Sequence, residues 1–291
     1  METKREYPTK DQHVRSKPLK HTLLSRFTRK PSRTLGHYGG SRPHSLWLRG
    51  PYEAAQQVVA VAPDYVHLSV PDEAKPAWTH VLQAPGPIRA DVTQMLGILR
   101  EVISLPSPPN IRTAIALDWY KIPDDAVDPR QWSNTETAEL LRQGKYLNAY
   151  VPAEQRRAGL ELVERLCRVI GAHPVLRQAT VVLDVPGHDG QRVSFGSRVA
   201  ASVAYRLGLP VAKTSARAEF RPPAKNTDSA ERIAAIKDQF FVPFDIQGRV
   251  GLVVDDVFKS GTSMSETARA ARTAGAATVN GIVAVRTMKA R

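Results

Sequence analysis

The chain has 291 residues, 42% of them hydrophobic and 24% charged, and a formal net charge of +13. That composition is globular, and the length accommodates one large domain or two ordinary ones. The sequence has no run of about 18 apolar residues, which argues against a membrane span. The single cysteine, Cys167, excludes an internal disulfide and a Cys-rich zinc module. Its place in the apolar run LVERLCRVI predicts a packed thiol rather than a reactive one.

Charge is concentrated at the start. Residues 1–50 carry 12 Lys/Arg against Glu2, Glu6 and Asp11, a surplus of nine. Residues 1–45 are read as a basic flexible arm, either a solvated leader or a contact for nucleic acid or another polyanion. Neither a zinc finger nor an RNA-recognition signature accompanies the charge. The polar start METKREYPTK lacks the apolar core of a secretory signal and predicts a cytoplasmic protein.

From residue 46 to about 175 the pattern is mixed. Val58–Val61 and Val66–Val70 are strand-like, and Val92–Ile103 has helical spacing. LPSPPN, Leu105–Asn110, is the clearest breaker. Thr113–Leu117 reads as a buried strand ending in Asp118, Trp119 and Tyr120. Ser133 and Glu136 form a capping-box spacing for a helix through Leu141. A longer helix is expected over Ala153–Ile170, with Gly171 as its stop.

Strands and helices then alternate. Strands are expected at Ala179–Val185, Leu209–Lys213, Val250–Val254 and Thr278–Val285. Helices are expected at Val193–Leu207, Glu231–Phe240 and Met264–Ala274. This order predicts an α/β fold, a mainly parallel sheet with helices on both faces, whose ligand would bind beyond the carboxyl ends of the strands.

The chemistry concentrates in VVDDVFKSGTSM, Val253–Met264. A buried strand delivers two adjacent carboxylates, Asp255 and Asp256, whose repulsion has a cost unless solvent, a cation or hydroxyl donors compensate. Lys259, Ser260, Gly261, Thr262 and Ser263 follow. Gly261 permits a tight turn, and the hydroxyls together with a helix start make a phosphate-sized anion cradle. For the acid pair alone, a solvated strand end is the simpler account. With the cradle beside it, the ligand that suits both is a sugar phosphate, whose hydroxyls need acceptors while its phosphate needs donors.

These residues resemble the fingerprint of the type I phosphoribosyltransferases: a hydrophobic strand, two acids, and a short loop of Thr/Ser and Gly. By that resemblance Asp255 and Asp256 bind the ribose hydroxyls as catalytic residues. Lys259 to Ser263 hold the 5′-phosphate of phosphoribosyl pyrophosphate (PRPP). ATVVLDVPGHDGQRVSFGSRVAASVAYRLGLPV, Ala179–Val211, is similar to the pyrophosphate loop and helix of the ComF-like branch. It implies pyrophosphate contacts from Gly187, His188, Asp189 and Arg192; a loop histidine such as His188 is otherwise simply exposed. Phe220–Val242 matches the flexible loop that closes over substrate and implies contacts from Arg221 and Lys225, although Pro222 and Pro223 equally suit a stiff surface crossing. ELLRQGKY, Glu139–Tyr146, echoes the region before the ComF-like core. The chain departs from that branch in lacking its N-terminal zinc region and in having Lys259 and Ser260 where two threonines are usual.

The resemblance implies a type I phosphoribosyltransferase-like domain over 176–291, with 46–175 as an N-terminal α/β extension or hood. It implies Mg²⁺ with PRPP and transfer of the phosphoribosyl group to a nitrogen acceptor, with pyrophosphate released. No protein side chain is expected to bind a metal directly. Asp118, Trp119 and Tyr120 are candidate acceptor contacts or simple packing residues. The alternative is a regulator that binds PRPP or a nucleotide without turnover and reaches nucleic acid through residues 1–45. The acceptor base and the oligomeric state, a homo-oligomer included, stay open.

Overall fold

The computed structural model describes residues 24–28, 44–122, 124, 126–146, 152–189, 193–218 and 234–287. Two sheets dominate it. The first is antiparallel and four-stranded, built from β1 (Leu24–Thr28), β2 (His44–Arg49), β3 (Val66–Leu68) and β4 (His80–Ala84) in the order β1-β2-β4-β3. Thus five residues of the segment read as a flexible arm pair with β2; positions 1–23 and 29–43 lie outside the described residues.

The second sheet carries the candidate site. It comprises β5 (Ile103–Ser104), β6 (Ala114–Trp119), β7 (Val181–Asp184), β8 (Val211–Ala212), β11 (Val250–Phe258) and β12 (Thr278–Arg286) in the order β5-β6-β12-β11-β7-β8. Every neighbouring pair is parallel except β5–β6. Between these strands β9 (Ser215–Ala216) and β10 (Phe240–Phe241) form a separate antiparallel ribbon. The breaker Leu105–Asn110 therefore joins two strands of one sheet, and β5 and β6 enter it from before residue 175.

Side chains alternate across the parallel sheet with the two-residue period of a strand. Ile115, Leu117, Val182, Leu252, Val254 and Ile282 are buried on one face. They meet Leu141 of α3 (Glu136–Tyr146), Leu162 and Leu166 of α4 (Pro152–Ala172), and Val199 and Val203 of α5 (Phe195–Leu207). Ala114, Ala116, Val181, Leu183, Val253 and Val283 face the other way, against Met264, Ala268 and Ala271 of α6 (Thr262–Thr273) and against Phe240. The fold is thus α/β, a mainly parallel sheet with helices on both faces, as the alternation of elements predicts. The first core also takes in α1 (Tyr52–Val61), α2 (Ala90–Leu99), and Leu46, Leu48 and Leu82 of the antiparallel sheet, so the two sheets share a hydrophobic core.

Several local expectations change. Val58–Val61, β-branched and strand-like in isolation, is the last turn of α1, because Ala54, Ala55, Val58 and Val61 make one buried helical stripe. The residue capping α3 is Thr135, whose hydroxyl accepts the Ala138 amide at 3.1 Å, rather than Ser133. Gly171 does not stop α4, which runs to Ala172 before Pro174 removes the next donor. Phe240, expected at a helix end, is the fully buried anchor of β10. Ile103 leaves the expected helix for β5. Cys167 is partly buried, and burial raises its thiol pKa, as packing requires.

Candidate functional site

β11 is longer than its apolar run. Pairing with β12 continues to Phe258↔Arg286, so the strand runs past its expected end at Val254 and takes in Asp255 and Asp256. Pairing with Val283 fixes Asp255, and Asp256 lies between two paired residues, Asp255 and Val257. The Asp256 amide also donates to Asp255 Oδ1 at 2.8 Å. Burial first, and the charge of Asp256 second, push the Asp255 carboxyl well above the usual carboxylate range; the Asp256 amide and Lys145 oppose them. Lys145 Nζ lies 2.6 Å from Asp256 Oδ2. Sequence reasoning missed Lys145: it stands in ELLRQGKY, but nothing local ties it to an acid 111 residues away.

The expected phosphate loop follows at once. Gly261 has φ of +81°, the left-handed region open to glycine, and turns the chain directly into α6. The helix starts at Thr262, two residues before the expected Met264. Its first amides have no partner inside the helix and carry the positive end of its dipole. Ser260 Oγ and Thr262 Oγ1 stand 2.9 Å apart. Lys259 and Ser260 are exposed, and Thr262 and Ser263 partly so. Beneath the turn, the Phe258 ring and Pro108 lie against Gly261, and Ser265 Oγ donates to Pro109 O at 3.0 Å. The proline-rich breaker thus buttresses this turn and the start of α6.

β7 brings the second expected loop alongside, since Asp184 pairs with Val254, the residue before the acids. Gly187, His188 and Asp189 line an opening with Ser194. His188 is exposed. Ser194 caps α5 by accepting the Ser197 amide at 3.0 Å. The first turn of α5 then closes on the acids through Gly196. Gly187, His188, Asp189, Asp255 and Asp256 are therefore brought to adjoining strand ends, next to the turn at Gly261. Arg192, Arg221 and Lys225 lie outside the described residues.

Asp118 and Trp119 end β6 and Tyr120 follows it, separated from β11 by β12. Asp118 accepts the Trp119 amide at 2.9 Å and the Thr137 hydroxyl at 3.4 Å. The Arg286 guanidinium lies 5.0 Å from the centre of the Trp119 ring. These contacts serve packing, and they leave an aromatic and cationic surface on the sheet edge that carries the acids. Chemically, the strand ends offer carboxylates that can accept from hydroxyls, helix amides and hydroxyls that can donate to an anion, and Lys145 paired with Asp256.

No family model and no curated protein matches the chain. Among solved structures the chain is similar to the orotate phosphoribosyltransferase from Aeropyrum pernix, with 21% identity over 48% of this chain and 66% of that one, and a TM-score of 0.31. It is similar to the purine phosphoribosyltransferase from Pyrococcus horikoshii, with 16% identity over 46% and 82%, and a TM-score of 0.29. It is also similar to the adenine phosphoribosyltransferase from Leishmania tarentolae, with 12% identity over 63% and 81%, and a TM-score of 0.35. The chain spans a little under two thirds of the Aeropyrum protein. Among the described residues no helix is long and apolar enough to cross a membrane.

Proposed function

We propose that this chain is a phosphoribosyltransferase of the type I kind, which binds PRPP and transfers its phosphoribosyl group to a nitrogen acceptor with release of pyrophosphate. One observation carries the reading: Asp255 and Asp256 end β11, and a left-handed Gly261 turns the same strand into the start of α6. Ribose hydroxyls then meet carboxylates while the 5′-phosphate meets the hydroxyls of Ser260, Thr262 and Ser263 and the helix start. The loop Gly187–Asp189, with Arg192, Arg221 and Lys225, takes the pyrophosphate. Positive charge develops at C1 as the pyrophosphate leaves, and the carboxylates stabilise it without reorganising. A magnesium ion carried by the pyrophosphate and ribose hydroxyls of the substrate, without a direct protein ligand, would neutralise the leaving group. Placement in the ComF-like branch and in the cytoplasm rests on the sequence motifs alone.

Pyrophosphate release from PRPP, measured across nucleobases, tests the reading. Turnover that disappears in Asp256→Asn is expected, and failure of the wild-type chain to bind PRPP would overturn it. The basic surplus of residues 1–50 supports a second reading, a PRPP-binding regulator that contacts nucleic acid. Tight PRPP binding without turnover for any acceptor, together with salt-dependent retention on nucleic acid lost on deleting residues 1–45, is its signature.

A further inference from the structure

Lys145 stands in the last turn of α3, and its ammonium holds Asp256 Oδ2 at 2.6 Å, with the two side chains 30% and 13% exposed. Its root is fixed by packing. At the preceding Gly144 a β-carbon would lie 3.0 Å from Cζ of Phe195, and the Gly144 carbonyl accepts from Nε2 of the Gln155 side chain at 3.2 Å. The side chain itself is a flexible stem bearing a point charge, which makes equivalent contacts in many geometries. A fixed root with a movable charge suits a counter-ion that changes partners.

The site has reason to need one. Two adjacent carboxylates repel each other, more strongly where water is partly excluded. A sugar phosphate would add anionic charge beside them. Its hydroxyls need the acceptor that Lys145 occupies, and a second anionic group on the same ligand offers the lysine a new partner.

We propose that Lys145 is a displaceable counter-ion: it holds Asp256 in the ligand-free protein and moves onto the pyrophosphate when PRPP brings its ribose hydroxyls to Asp256. The inference rests on the phosphoribosyl-binding reading above and adds a source of specificity. PRPP exchanges the ion pair for two new contacts. Ribose 5-phosphate must break the same pair and has no C1 pyrophosphate to offer the lysine. Lys145 therefore sets the preference for PRPP over ribose 5-phosphate.

Calorimetric titration of the full chain with each compound tests this. In Lys145→Gln, PRPP affinity falls about tenfold or more, the size of one lost charge-assisted hydrogen bond. Ribose 5-phosphate affinity stays level or rises, so the preference collapses; Lys145→Arg keeps most of it. Should circular dichroism show that Lys145→Gln is unfolded, Lys145→Met retains the apolar stem and carries the same expectation. A wild-type chain that binds neither compound overturns the phosphoribosyl reading and this inference with it. A wild-type preference that survives in Lys145→Gln or in Lys145→Met overturns this inference alone.

Discussion

Gly196, in the first turn of α5, faces Asp255 so closely that a β-carbon built on it would stand 2.9 Å from the carboxylate Oδ1. The acid therefore rests against a helix start, where the dipole favours negative charge. Gly196→Ala would force that oxygen away and strain its 2.8 Å bond to the Asp256 amide. An alanine also favours the helix by up to about 1 kcal/mol, which offsets part of the clash. The expected outcome is a melting temperature close to wild type and PRPP affinity down about tenfold, roughly 1.4 kcal/mol. Calorimetry beside a thermal melt checks it, and unchanged affinity would show that the position of Asp255 does not matter.

Asp255 works against stability. Its folded pKa lies above the unfolded value near 3.8, through burial and then the charge of Asp256. Between those values the native state holds more protons than the unfolded one, so stability is highest below the unfolded pKa and falls as pH rises through the folded pKa. Asp255→Asn should melt higher than wild type at neutral pH, by roughly 1 kcal/mol as is usual for relieved functional sites. The advantage should vanish once the pH is below the unfolded value, and turnover should be lost at every pH. A neutral-pH melt lower than wild type would contradict the assignment.

His173 predicts a separate acid sensitivity. The ring is fully buried behind α4, and its Nδ1 accepts the amides of Val175 and Leu176, each at 3.2 Å. Burial pushes its pKa from 6.5 down to about 4. Here the unfolded state binds more protons, so stability is fully present above the unfolded pKa and declines as pH falls toward the folded one. The loss is about 3 kcal/mol over that window. His173→Asn keeps a carbonyl to accept the amides and removes the titration. Urea unfolding at pH 7.5 and pH 4.5 should show a smaller pH difference for the variant, and equal differences would exclude His173 as the source.

What the sequence disclosed depended on how local each cause is. β11 and its acids are legible because a buried run, a charge pair and a glycine turn stand side by side in the chain. The extension of β11 to Phe258 is not, since it depends on the ladder to β12. HVLQA, the strand β4, carries no alternation that marks it, because all five residues are buried between β2 and β3. Val58 and Val61 misled through β-branched preference, which helix packing overrode. The pairing of Lys145 with Asp256 spans 111 residues and exists only once α3 packs beside α5. Arg192, Arg221 and Lys225 remain expectations from the motif.

Gly261 offers the sharpest separation of structure from binding. Its φ of +81° disfavours any side chain, and a β-carbon would meet the Phe258 ring and Pro108 Cγ at 2.9 Å. The backbone part should cost about 1 kcal/mol and the crowding about 1–3 kcal/mol, so Gly261→Ala should unfold in less urea and lose ribose 5-phosphate binding. Phe258→Leu removes the ring edge while leaving the backbone demand untouched. Adding Gly261→Ala to Phe258→Leu should therefore cost less stability than adding it to wild type, since residues in contact are not additive. Binding should stay lost in the double variant, because the left-handed turn aims the amides of α6. Recovery of binding along with stability would mean that space at Phe258, and not the turn, is what the phosphate loop requires.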